Sequence, residues 1–112
     1  MAKKRISKAE GAAALGSGDQ PTAIRFLLQE IESMAPGGSV ELRVPPYGAV
    51  QCIGGLDHRR GTPPNVVELD SESFLALALG RANWDELVES GKLIASGVLA
   101  QELRNLFPIA GV

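Results

Sequence analysis

The chain is poor in the residues that do covalent or metal chemistry. Its single cysteine, Cys52, excludes an internal disulfide, and one cysteine with one histidine, His58, is too few soft ligands for a structural zinc site. No metal or cofactor is expected. No apolar run approaches the roughly 20 residues that span a bilayer. Glycine is plentiful, at 13 residues, yet none falls into G-x-G-x-x-G or a P-loop ending in Lys-Ser/Thr, so nucleotide binding has no support. The opening MAKKRISKAEGAAALGSG is basic, but its apolar part is mostly Ala and Gly, too weak for a secretory core. A cytoplasmic, reducing setting is the expectation.

What is present is apolar. A hydrophobic fraction of 45% in 112 residues, with mean hydropathy +0.06, suits one core of common domain size. The expected organisation is a basic N-terminal segment over residues 1–20 and a single domain over 21–112. The net charge of −2 is uneven: Lys3, Lys4, Arg5 and Lys8 face only Glu10 at the start, which leaves seven basic against twelve acidic groups in Gly11–Val112. Such a body repels nucleic acid and anionic lipid, so no nucleic-acid partner is expected. The basic start allows at most a transient contact with an anionic membrane surface.

Local patterns predict an α/β (α+β) layer structure. Ser7 and Glu10 fit a capping box, which predicts a short helix over Lys8–Leu15 closed by Gly16. Ile24, Leu27, Leu28, Ile31 and Met34 recur on one helical face after Pro21, which predicts a helix over Thr22–Met34. Val40, Leu42 and Val44 alternate with Glu41 and Arg43 as in a half-buried strand, and Gly48–Ile53 returns after Pro45-Pro46-Tyr47. A further short strand is expected around His58–Arg60. Val66 and Val67 mark a strand at Asn65–Leu69, and Asp70 then caps a helix that ends at Gly80. Asn83 with Glu86 starts another helix closed by Gly91. Lys92–Ser96 reads as a short strand, and Val98–Phe107 as a last helix stopped by Pro108.

That order, with the signature D-x-x-x-F-L-x-L-x-x-G … W-x-x-L-x-x-S-G-K-L … S-G over Asn65–Phe107, resembles the C-terminal half of the sterol-carrier-protein family. The segment RVPPYGAVQCIGGLDHRRGTPPNVVE is similar to a divergent bacterial, mainly actinobacterial, branch of it. The elements sum to a mixed, mostly antiparallel sheet of four or five strands with helices packed on one face. The resemblance implies an apolar tunnel between sheet and helices, and carriage of a lipid or fatty-acyl molecule without catalysis.

The candidate apolar lining is Phe74, Leu77, Trp84, Leu87, Leu99 and Leu103. The Ser71–Leu79 helix is apolar almost all round and must be covered on several sides by sheet, helix or ligand. Arg59 and Arg60 are the candidate cationic rim for an anionic head group, an arginine being suited to a bidentate grip. A solvated loop balancing Asp57 and Glu68 explains the same residues. Cys52, Asp57 and His58 supply the residue types of a thiol hydrolase, but no nucleophile signature surrounds Cys52, which fits a small apolar strand residue. Asp85, Glu86 and Glu89 read as a wet helix face, not an acid/base pair. The leading function is therefore binding or transfer of an apolar or amphipathic small molecule. The alternative is an accessory domain with a filled core and an unknown protein partner, and a thiol-dependent enzyme comes third.

Overall fold

The computed structural model describes residues 5–55 and 65–112. Helix α1 (Lys8–Ser17) opens with the Ser7/Glu10 capping box, as expected, but continues through Gly16 to a left-handed cap at Gly18, where φ is 78°. Helix α2 (Gln20–Met34) starts at Asp19, whose carboxylate accepts the Thr22 N–H, and buries Ile24, Leu27, Leu28 and Ile31. The two helices approach closely because Gly11 is buried against Phe26; a Cβ at residue 11 would lie 2.4 Å from the ring. The basic start is tied to α2 as well. Gln29 takes the Ile6 N–H and donates to the Ile6 carbonyl, while Arg5 and Lys8 face Glu30 at 3.8 and 3.6 Å.

Strands β1 (Val40–Val44), β2 (Gly48–Cys52), β3 (Asn65–Leu69) and β4 (Leu93–Ser96) form one mixed sheet in the order β2-β1-β3-β4. The outer pairs are antiparallel and the central pair, β1 with β3, is parallel. Register puts Val40, Leu42, Val44, Cys52, Val67, Leu69 and Leu93 on one buried face. The opposite face meets solvent: Arg43 bridges Glu41 on its own strand and Glu68 on β3, and Ile94 stands 63% exposed. Helices cover one face, as the sequence predicts. The strand expected around His58–Arg60 lies outside the described residues.

Helices α3 (Ser71–Ala78) and α4 (Trp84–Glu89) follow β3, joined by a left-handed turn at Gly80, φ 79°. The last element corrects the expectation of an α-helix over Val98–Phe107. It is a 3₁₀ helix, Ala100–Leu106, with Val98 88% exposed and Leu99 as its N-terminal cap residue. At three residues per turn the inward stripe is Ala100, Leu103 and Leu106, where an α-helix would align Leu99, Leu103 and Leu106. The start is held by Asn65, whose side-chain oxygen accepts the Leu99 N–H at 3.0 Å while its amide donates to the Ser39 carbonyl at 2.8 Å.

Candidate functional site

The candidate site is built where α3, α4 and the 3₁₀ helix meet the sheet. Asp70 fixes the start of α3: one carboxylate oxygen accepts the Ser73 N–H at 3.1 Å and the other its hydroxyl at 2.6 Å. The Ser73 hydroxyl, with help from backbone amides, holds this carboxyl below its ordinary range. With that start fixed, α3 turns Phe74, Leu77 and Ala78 inward. Asn83 caps α4 by accepting the Glu86 N–H at 2.9 Å, which points Trp84 and Leu87 the same way. The tail is fastened by the Ile109 N–H, which donates to the Ala78 carbonyl at 2.9 Å. Half-buried Phe107 then stands edge-on to Phe74 at 6.2 Å between centroids and tilted against Trp84 at 6.5 Å.

Of the six residues singled out for an apolar lining, Phe74, Leu77, Trp84, Leu87 and Leu103 are buried and share one core cluster. Leu99 is half-buried, with its N–H bound to Asn65. Arg59 and Arg60 lie outside the described residues, as do Asp57 and His58. An open cleft of about 680 Å³ runs between α4 and the 3₁₀ helix, with Leu77, Trp84 and Phe107 along its apolar wall. Its rim bears Asp85, Glu86 and Glu89, and Arg104 bridges Asp85 at 2.6 Å. The part played by Phe107 and Arg104 is not readable from local spacing. Arg104 lies on the 3₁₀ helix, whereas Phe107 follows it in extended backbone, and the bond from the Ile109 N–H to the Ala78 carbonyl carries the tail back over α3.

Cys52 lies on β2, fully buried, with its sulfur 3.8 Å from the Val40 carbonyl. Burial, reinforced by the charge of Glu32, pushes its thiol up to about 11, away from a nucleophilic thiolate at neutral pH. Among the described residues no three His, Cys, Asp or Glu side chains group as a metal site would need. No helix among them is long and apolar enough to cross a membrane.

A mixed four-stranded sheet with helices on one face and an apolar cluster between them is the architecture of a sterol-carrier-like domain. The family model described as "bacterial SCP ortholog" matches residues 18–109, and the chain belongs to this sterol-carrier-protein-like bacterial family. No curated protein matches it.

Proposed function

We propose that this protein binds, without catalysing a reaction, an apolar or amphipathic small molecule of lipid or fatty-acyl type. Its site is the apolar group of Phe74, Leu77, Trp84, Leu87, Leu99 and Leu103. The observation that supports this best is the cleft of about 680 Å³ that Leu77 and Trp84 of this group line together with Phe107 beneath a polar rim, in a chain of a sterol-carrier-like family. Its volume falls within the range of small-molecule sites, roughly 300–1,000 Å³. Phe107 is the natural gate. It is half-buried and held by ring contacts, so an acyl chain entering beside Trp84 replaces its contacts with others of the same kind. Each buried CH₂ contributes about 0.8 kcal/mol, so affinity needs no specific polar partner. The acidic rim favours a neutral head group over a carboxylate at this mouth.

Trp84 is the only tryptophan, so its emission reports on this cleft alone. Titration with a long-chain fatty alcohol is expected to shift that emission saturably. Ala82 lines the same cleft and is half-buried, so Ala82→Trp on a Trp84→Phe background is expected to stay folded and lose uptake of a fluorescent acyl probe. An unmoved Trp84 spectrum in the folded wild type, with no probe uptake, would sink this reading. It would favour the accessory-domain reading, which the burial of Phe74, Leu77, Trp84, Leu87 and Leu103 in one core cluster supports independently.

A further inference from the structure

A second cleft, of about 660 Å³, opens between α2, the edge strand β2 and the Arg5–Ile6 segment. It shares no lining residue with the cleft at Trp84 and does not rest on the reading given to that one. Its wall is apolar where Leu28, Ile6 and Val50 meet, and the half-buried ring of Tyr47 stands beside them. From α2 it takes Arg25, Leu28, Gln29 and Glu32, at i, i+3, i+4 and i+7, which is one face of the helix. Arg25 and Glu32 therefore mark opposite ends, roughly 10 Å apart at about 1.5 Å rise per residue.

The two ends differ in charge balance. At the Glu32 end the cleft also carries a cation, Arg5, which donates to the Ser33 hydroxyl at 2.9 Å and lies 3.8 Å from Glu30. At the other end Arg25 gives its Nε–H to the Pro21 carbonyl at 3.2 Å, and its guanidinium meets no carboxylate among the described residues. Tyr47 brings a phenol that can donate a further hydrogen bond. A guanidinium that meets no carboxylate among the described residues, at one end of an apolar trough, matches a short molecule with a carboxylate at one end and an apolar or aromatic body at the other.

We propose that this cleft is a binding site for a small aryl- or alkyl-carboxylate, gripped by Arg25 and lying along Leu28, Ile6 and Val50 beside the Tyr47 ring. The test is an NMR titration of the whole chain with 4-phenylbutyrate, with neutral 4-phenylbutanol and with cationic 4-phenylbutylamine. The carboxylate is expected to shift the Ala49 and Val50 amides and the Tyr47 ring saturably, and to bind more tightly than the alcohol or the amine. Arg25 is exposed, so Arg25→Gln is expected to leave the remaining spectrum intact and weaken the carboxylate roughly tenfold, as loss of a charge-assisted pair does. Equal binding of the three compounds, no loss on Arg25→Gln, or shifts at the Trp84 indole without shifts at Val50 would each overturn the proposal. The last of these would leave the reading of the Trp84 cleft standing, whereas shifts at Val50 alone would uphold this site without it.

Discussion

Asn65 sits at the start of β3 with 2% of its surface exposed, and both ends of its amide are bonded. It ties the chain just before β1 to the start of the 3₁₀ helix, two segments far apart in sequence. Asn65→Ala strips one buried and one partly buried backbone group of this partner, and chemical denaturation is expected to show a loss of about 2–4 kcal/mol. A loss under about 1 kcal/mol would mean that water replaces the amide. Cys52 makes the other residue-level prediction. Its folded thiol ionises near 11 against an ordinary 9.0, so the native state holds its proton where the unfolded chain releases it. Stability from this group is complete below pH 9 and falls as pH rises toward 11, by up to about 1.4 kcal/mol per pH unit. Cys52→Ala should remove that slope, and the native thiol should label far more slowly than a free one at neutral pH; rapid labelling would reopen a catalytic role.

At the scale of elements, two glycines of α1 separate packing from propensity. Gly11 has the Phe26 ring where a Cβ would go, whereas nothing lies within 4 Å of that position at Gly16. Gly11→Ala is therefore expected to destabilise by about 1–3 kcal/mol despite the better helix former. Gly16→Ala is expected to stabilise by roughly 0.5–1 kcal/mol; thermal melts that rank the two the other way would refute the close α1–α2 contact. Asp70 adds a pH dependence to α3. Its folded carboxyl is held below the ordinary 3.8, chiefly by the Ser73 hydroxyl, so its contribution is present above that pH and is lost as pH falls through the lower folded value. Asp70→Asn should destabilise less at pH 3 than at pH 7 relative to wild type; equal losses at both would deny the carboxylate its role. These elements differ in how openly the sequence displays them. The apolar face of α2, the alternation in β1 and the caps at Asp70 and Asn83 are local patterns, and the fold keeps them. The 3₁₀ helix is not legible, because Leu99, Leu103 and Leu106 suit an α-period while Ala100, Leu103 and Leu106 suit a period of three. The tertiary bond that holds the Leu99 N–H to Asn65 is not visible in that local pattern. Gly11 looks like a weak helix residue, and Asn65 like the first residue of a strand, until their distant partners are known.

For the molecule as a whole, the sheet has one face buried under helices and one where Arg43, Glu68 and Ile94 meet solvent, so an apolar ligand is expected on the helix side. The sequence marks the residues that converge there: Phe74, Leu77, Trp84, Leu87 and Leu103 do share one cluster. It does not show that Leu77 and Trp84 also reach a solvent-open cleft beside Phe107, since that depends on how the tail folds back onto α3 through Ile109. Under the proposed function this side of the molecule holds an apolar small molecule. Native mass spectrometry of protein purified from its own host, followed by organic extraction of the same sample, tests it most directly. The expected result is a one-to-one adduct released on activation, an amphiphile in the extract, and loss of the adduct in the Ala82→Trp, Trp84→Phe variant. A wild-type protein that shows only its bare mass, yields no amphiphile and takes up none on incubation with extracted host lipid would contradict it.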